Sequence, residues 1–220
     1  QMKMNMLATG VYAKTHGLSL SSGIPEERMR AVNGCKRNID YAASMGCGII
    51  IGFLKGGPGS DREVSERLFL ESMLELKPYI EEKKVQVLIE ATNHKEASII
   101  RTLKEGAHVI NFLDCPFIQL LADTYHMNIE EPSLVDSLSE YMNYYPHLHI
   151  SDDNRAYPGL GSLDFTAIYR KLMECGYKGT VAVEGNIQRG LLEDTQICAA
   201  YLHKMCSGLH TPSRVPSHAV

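Results

Sequence analysis

Short runs of apolar residues alternate along the chain with longer amphipathic stretches, and the alternation occurs six times. The apolar runs predict strands, and their near-continuous hydrophobicity is typical of strands covered on both faces of a sheet. The amphipathic stretches predict helices. The predicted strands span residues 4–12, 48–54, 85–91, 117–123, 148–151 and 180–184, and the predicted helices 25–45, 60–84, 95–113, 132–145, 164–175 and 191–205.

Several helix boundaries carry recognisable end signals. Pro25 lies in the first turn of the first predicted helix and Gly46 directly follows its end, as expected for these residue types. Ser60 and Glu63 have the spacing of a capping box, which predicts that Ser60 caps the second helix. Strict strand–helix alternation predicts an α/β fold with a parallel sheet and crossover helices. A TIM-type (β/α) barrel fits this order, although a closed barrel has eight units where this chain shows six.

Composition supports one domain. The chain has 220 residues, of which 44% are hydrophobic and 22% charged, as in ordinary globular proteins. No linker divides residues 1–206, which we expect to form the barrel. Residues 207–220 contain Gly208, Pro212, Pro216 and several serines, and we expect them to form an irregular tail.

The net charge, the apolar runs and the cysteines of the chain argue against several classes of protein. The formal net charge of −4 gives no electrostatic footprint for nucleic acid. No apolar run approaches the roughly 18 residues of a membrane span, and no signal segment is visible. The six cysteines lack C-x-x-C spacing, which favours reduced thiols in a cytoplasmic protein. The first residue is Gln1, which suggests a processed or truncated chain.

Four polar residues stand at the ends of consecutive apolar strands. Glu90, Asp123 and Glu184 close their runs, and His149 lies within the fifth. The carboxyl ends of parallel strands form the face where ligands bind, and a buried acid is costly unless it is paired or bound to a cation. We therefore expect these four side chains to meet around one divalent ion.

The type of ion follows from the ligand set. Three carboxylates and one imidazole suit Mn²⁺, Mg²⁺ or Co²⁺ more than structural Zn²⁺, although Zn²⁺ is also compatible. The alternative for each acid alone is a helix N-cap or a loop hydrogen-bond acceptor. For His149 alone it is a hydrogen-bonded core histidine.

Four segments resemble a known superfamily: IEATNHKE (89–96), ADTYHMNIEE (122–131), HLHISDDNRAYPGLGSLDF (147–165) and GYKGTVAVEGN (176–186). They are similar to the xylose-isomerase-like TIM-barrel sugar isomerases and epimerases, and within these to the D-tagatose/D-psicose (ketose) 3-epimerases. The resemblance makes residues 4–12 the third strand of the barrel, so that the first two βα units are lacking. One departure is that Asn93 is followed by His94 and Lys95, where the family often has arginine.

The resemblance also implies residue roles. The metal ligands would be Glu90, Asp123, His149 and Glu184, of which Glu90 and Glu184 would also act as catalytic acid and base. The substrate-binding residues would be Glu96, His126 and Arg155. Other interpretations remain for these three: a cap of the next helix for His126, a first-turn helix acid for Glu96, and a surface ion pair with Asp152 or Asp153 for Arg155.

The activity implied is C3 epimerisation of a small ketose through an enediolate, with Mn²⁺ the favoured ion and a homo-oligomer the expected assembly. The same residues would serve an aldose–ketose isomerase, a sugar-phosphate epimerase or an inosose dehydratase. A truncated barrel that binds without catalysing is a further alternative. A nuclease of the same superfamily would need a multi-zinc cluster with more histidines and a basic face, and the sequence has neither.

Overall fold

The computed structural model describes residues 3–209, which form six parallel strands with helices between them. The strands are β1 (Met6–Ala8), β2 (Gly48–Ile51), β3 (Val87–Glu90), β4 (Ile118–Asp123), β5 (His147–Ile150) and β6 (Thr180–Val183). The helices are α1 (Gly10–His16), α2 (Pro25–Met45), α3 (Arg62–Lys83), α4 (Leu103–Leu113), α5 (Thr124–Glu130), α6 (Leu134–Glu140), α7 (Phe165–Glu174) and α8 (Leu191–Leu209). Short 3₁₀ turns span Phe53–Lys55 and Met142–Tyr144.

The strands are ordered in the sheet as they are in the chain, and each pairs in parallel with its neighbours. The sheet curls far enough that Asn5, just before β1, donates a hydrogen bond of 3.4 Å to Thr180 at the start of β6. The predicted TIM-barrel fold is confirmed, as a curled sheet of six strands. Among the described residues no strand lies beyond β1 or β6.

Side-chain alternation in the strands separates two apolar clusters. Residues such as Ile49, Val87 and Leu120 face outward and pack under the helices in the main core. A small inner cluster of Ile50, Leu88 and Leu121 fills the concave side. The period of two then directs Glu90 and Asp123, each two residues further along its strand, to the same inner side at the carboxyl ends.

The ends of α2 match their prediction, whereas the start of α3 differs. Gly46 ends α2 in the left-handed conformation, at φ 66°. The cap of α3 is Asp61, whose Oδ1 accepts from the Val64 amide at 2.9 Å. The prediction that Ser60 caps this helix was therefore wrong by one residue. A carboxylate at this position also suits the positive end of the helix dipole.

The structure differs from the predicted pattern in three places. The strand predicted for residues 4–12 ends at Ala8, and α1 follows at once. The helix predicted from residue 95 begins only at Leu103, where Thr102 caps it. The short helix α5, directly after β4, was not predicted. Both missed helices lie at the carboxyl ends of strands and so form part of the ligand-binding face.

The C-terminal helix α8 continues to Leu209, so residues 207–209 of the expected irregular tail are helical. Residues 210–220 of that tail lie outside the described residues. No helix in the described part of the chain is both long and apolar enough to cross a bilayer. None of the six cysteines, all of which lie in the described part of the chain, forms a disulfide bond.

Candidate metal centre

The four side chains predicted to share a cation come together at the carboxyl edge of the sheet. Glu90 and Asp123 end β3 and β4, His149 lies in β5, and Glu184 directly follows β6. One potential ligand atom from each lies within 4.8 Å of the others. Ligand atoms on opposite sides of one divalent ion are separated by about twice a bond length, roughly 4–5 Å. The spacing therefore fits a single shared ion.

Glu90 shows the strongest need for a cation. Its side chain is only 10% exposed, and its Oε1 has no hydrogen-bond partner among the described residues. Burial, together with the negative charges of Glu184 and Asp123, raises the pKa of Glu90 to about 8. An unpaired carboxylate oxygen in a buried site is costly unless a positive charge compensates it. A divalent ion would supply that charge.

His149 and Glu184 form a close pair beside Glu90. The Nδ1 of His149 lies 2.7 Å from Oε2 of Glu184 and 3.8 Å from Oε1 of Glu90. Burial is the largest single cause and opposes ionisation of both partners. The hydrogen bond between them and the neighbouring charges together outweigh it: His149 and Arg155 lower the pKa of Glu184 to about 2, and the acidic side chains around His149 raise the pKa of this imidazole above its usual value.

Arg155 bridges two of the proposed ligands. Its Nη1 donates to both carboxylate oxygens of Asp123 at 2.7 Å, and its Nη2 donates to Oε2 of Glu184 at 2.7 Å. The alternative that Arg155 pairs with Asp152 or Asp153 is therefore wrong. Each carboxylate has about four acceptor positions, so Asp123 and Glu184 can hold the guanidinium and still offer an oxygen to an ion.

Asp123 also caps the helix that follows its strand, which was the alternative role considered for an acid at a strand end. Its Oδ1 accepts from the amides of Tyr125 and His126 and so caps α5. The residue is fully buried, at 0% exposure. Capping and membership of the cluster coexist, because the cap uses Oδ1 while Oδ2 lies 3.8 Å from Nδ1 of His149.

His126 presents a hydrogen-bond donor to the same space. The Asn93 amide donates to its Nδ1 at 3.2 Å, which places the proton of the neutral ring on Nε2. Burial is the main cause that lowers the pKa of His126 to about 3, so the ring is neutral at physiological pH. Its Nε2 lies 3.9 Å from Oε1 of Glu90. His126 lies inside α5, and Ser133 caps the next predicted helix, α6, so the capping interpretation of His126 is wrong.

A cleft of about 210 Å³ opens above the cluster. Glu90, Glu184, His126, Arg155 and Glu96 all line it, while Val11, Ile50 and Phe53 form an apolar part of its wall. Glu96 lies in the loop between β3 and α4, so it is not the first-turn helix acid that one interpretation predicted. A small cleft with a few convergent polar groups and one apolar wall is typical of a small-molecule site.

A family model described as a xylose isomerase-like TIM barrel matches residues 2–200. The chain belongs to this family. The resemblance predicted from the four motifs is thereby confirmed. Its relatives include sugar epimerases, several of them named as ketose 3-epimerases.

Two relatives show how similar the chain is to known sugar epimerases and how much of their length it covers. The chain is 37% identical over 102 residues to 3-dehydro-D-guloside 4-epimerase of Escherichia coli, covering 46% of this chain and 39% of the relative. It is 27% identical over 191 residues to D-psicose 3-epimerase of Enterocloster bolteae, covering 84% of this chain and 64% of the relative. The chain thus spans less than two thirds of both relatives.

Solved structures agree in fold. Apo 3-keto-D-glucoside 4-epimerase from E. coli matches with a TM-score of 0.79 at 24% identity, over 94% of this chain and 80% of that one. D-psicose 3-epimerase with D-tagatose from Clostridium cellulolyticum matches with a TM-score of 0.77 at 24% identity, over 88% and 75%.

Three residues near the cluster of this xylose isomerase-like barrel were not predicted. Gly52 follows β2, and a Cβ there would lie 2.4 Å from Oε2 of Glu90, so glycine leaves the room that this carboxylate occupies. Lys55 and Thr92 lie buried beside the cleft. Of these three residues, only Lys55 could have been recognised from the sequence as a candidate site residue, because it is a charged residue directly after the apolar run GIIIGFL.

The loop that carries Arg155 is organised by Asp152. This carboxylate is 1% exposed and accepts from the amides of Gly159, Gly161 and Leu163 at 2.8–3.0 Å. Arg155 itself has a φ of 61°, an unfavourable value for a residue with a side chain. The Asp152 hydrogen bonds therefore hold the loop in the conformation that directs Arg155 to the cluster.

We expect Asp152→Ala to lower the free energy of unfolding by about 3 kcal/mol, because several amides lose a charged acceptor in a buried loop. Urea unfolding followed by circular dichroism measures this. Asp153→Ala is the matched control, since the carboxylate of Asp153 accepts from the amide and hydroxyl of Ser162 in the exposed part of the loop. Equal losses in the two variants would contradict the role given to Asp152.

Proposed function

We propose that this chain is a metal-dependent epimerase that inverts the carbon next to the ketone of a small sugar, with C3 of a ketose as the favoured position. The observation that carries the proposal is the convergence of Glu90, Asp123, His149 and Glu184 within 4.8 Å at the ligand-binding edge of a sugar-epimerase fold. The cleft above them lies where the substrate would bind.

The four side chains would hold one divalent ion, and their oxygen-rich set favours Mn²⁺. Bound there, the ion would supply Lewis-acid polarisation of the sugar's carbonyl, which acidifies the neighbouring C–H bond. The orphaned Oε1 of Glu90 supports this assignment, because it is the kind of buried acceptor that an ion satisfies.

Glu90 and Glu184 are the residues that we assign to proton transfer. Inversion requires that one group removes the proton from C3 and another returns a proton to the opposite face. The two carboxylates come from β3 and from the residue after β6, with two strands between them, and both line the cleft. They can therefore flank a sugar bound between them, and they exchange roles when the reaction runs in reverse.

His126, Arg155 and Glu96 would orient the sugar. The Nε2–H of His126 is a donor in the cleft, and Glu96 offers an acceptor on the same wall. Arg155 holds Asp123 and Glu184 in place, and its guanidinium also borders the cleft. Such groups contribute by fixing the reacting carbon between the two carboxylates.

A second candidate is 4-epimerisation of a 3-keto sugar or glycoside. It is favoured by the 37% identity to 3-dehydro-D-guloside 4-epimerase over 102 residues. The chemistry is the same, because C4 is then the carbon next to the ketone. Only the position of the sugar relative to Glu90 and Glu184 differs.

The test is incubation of the chain with Mn²⁺ in D₂O, separately with D-psicose, D-tagatose and a 3-keto-glucoside. We expect a new epimer on chromatography, with one deuterium at the inverted carbon, because the proton that returns exchanges with solvent. Deuterium at C3 of a ketose supports the first candidate, and deuterium at C4 of the keto-glucoside supports the second. If none of these sugars gains deuterium, the chain does not catalyse either epimerisation.

Homo-oligomeric assembly and cytoplasmic location stay predictions.

A further inference from the structure

Lys55 is fully buried beside the cleft. It ends the 3₁₀ turn after β2 and has an exposed fraction of 0%. Its Nζ donates to Oγ1 of Thr92 at 2.5 Å and to the carbonyl oxygen of Gly52 at 3.4 Å. Among the described residues it makes no ion pair within 4 Å. Burying a lysine without a carboxylate partner is costly, so a lysine at this position is unusual for a purely structural residue.

Thr92 receives the shorter of the two hydrogen bonds. It lies two residues after Glu90, is 3% exposed and lines the cleft together with Glu90 and Glu96. A protonated lysine is a donor only, so Oγ1 of Thr92 must be the acceptor in this contact. The hydroxyl proton of Thr92 is therefore left to donate elsewhere.

No described residue accepts that proton. The Thr92 backbone amide donates to the Ile100 carbonyl, and the only side-chain hydrogen bond of Thr92 in the described part of the chain is the one from Lys55. A threonine hydroxyl that accepts from a cation is polarised and becomes a stronger donor. The hydroxyl of Thr92, which lines the cleft together with Glu90, is thus left with a proton to donate.

We propose that Thr92 is a further substrate-contacting residue, which donates its hydroxyl proton to an oxygen of the bound sugar, and that Lys55 is the positioning residue that orients this hydroxyl. The inference rests on the proposed function, because it takes a sugar as the occupant of the cleft. Burial lowers the pKa of Lys55 to about 8, while the charges of Glu90 and Glu96 favour its protonated form, so the lysine remains mainly charged at pH 7.

If Lys55 acts through Thr92, a double-mutant cycle on these two residues should give non-additive losses in kcat/KM. Thr92→Val keeps the side-chain volume and removes the donor, so we expect kcat/KM for the preferred ketose to fall about tenfold, mainly through a higher KM. Lys55→Met keeps the length and removes the charge, and we expect a loss of about three- to tenfold. In the Thr92→Val background, Lys55→Met should cost nothing further, because the hydroxyl that it orients is already absent.

Three controls separate this role from a structural one. Thr92→Ser restores the hydroxyl and should return KM to within about twofold of the wild type. Mn²⁺ affinity, measured by electron paramagnetic resonance, should be unchanged in Thr92→Val, which shows that the ligand set is intact. Thr195→Val on the exposed face of α8 and Lys104→Met on the exposed face of α4 are the matched substitutions away from the cleft, expected to leave KM unchanged.

The experiment distinguishes failure of this inference from failure of the proposed function. A wild-type KM in Thr92→Val, or additive losses in the double variant, overturns the inference while the epimerase assignment stands. If Lys55→Met does not fold, Thr92→Val and Thr92→Ser decide alone, by the same KM criterion. A wild-type chain that converts no ketose and binds none in calorimetry with Mn²⁺ present overturns both.

Discussion

Replacing Glu184 with glutamine is expected to lower kcat for epimerisation by about 10³-fold or more. The change removes one of the two proton-transfer groups, a contribution of roughly 10²- to 10⁴-fold, and weakens one metal ligand as well. The fold should persist, because Glu184 is 43% exposed and glutamine retains a hydrogen-bonding group of the same size. Glu90→Gln is expected to have an effect of the same order.

Chromatographic assay of the epimer at saturating ketose and Mn²⁺ measures this loss. Glu193→Gln in the first turn of α8 is the matched control, since Glu193 is exposed and forms an ion pair with the exposed Arg189 at 3.6 Å. Circular dichroism confirms that each variant is folded. If Glu184→Gln keeps more than about a tenth of the wild-type kcat, Glu184 is not a proton-transfer group.

Removal of divalent metal is expected to abolish turnover, and restoration by Mn²⁺ should depend steeply on pH. Protons and the ion compete for the same side chains. The pKa of Glu90 is raised to about 8 by its burial and by its acidic neighbours, so below pH 8 the ion must displace a proton from this carboxyl. Mn²⁺ affinity should therefore fall as pH falls, by about tenfold per pH unit below 8. The raised pKa of His149 makes the fall steeper at lower pH.

Titration of the metal-free chain with Mn²⁺ at pH 6, 7 and 8, by electron paramagnetic resonance, measures this dependence. Calorimetry in two buffers of different ionisation enthalpy counts the protons released on binding. Saturating Mn²⁺ should also raise the thermal midpoint, since an ion that binds only the folded state stabilises it. An Mn²⁺ affinity that does not change between pH 6 and pH 8 would contradict the assignment of Glu90 as a buried ligand.

The strands and the candidate ligands could be predicted from sequence because the signals are local. Glu90 follows a run of apolar residues, and the alternation of side chains directs it inward once the strand is assigned. Asp123 repeats the pattern on β4, where Leu121 pairs with Glu90, so the period of two places both acids on the same inner side near the carboxyl ends. No long-range information was needed beyond the order of strands.

The elements that sequence did not predict are those where tertiary context decides. Residues 9–12 continue the apolar pattern of β1, yet the chain turns into α1, whose Val11 is 80% exposed at the rim of the cleft. The partners of Arg155 depend on a loop held by Asp152 across up to eleven residues, which no local pattern shows. The contact between Lys55 and Thr92 joins residues 37 positions apart and becomes visible only in the folded sheet.

The position of a bound ion tests the central claim most directly. Crystals grown with Mn²⁺ and measured near the manganese absorption edge should show one anomalous peak at roughly 2.0–2.4 Å from an atom of each of Glu90, Asp123, His149 and Glu184. A strong peak elsewhere, or a peak bonded to fewer than three of these side chains, would contradict the shared metal centre and the epimerase mechanism built on it.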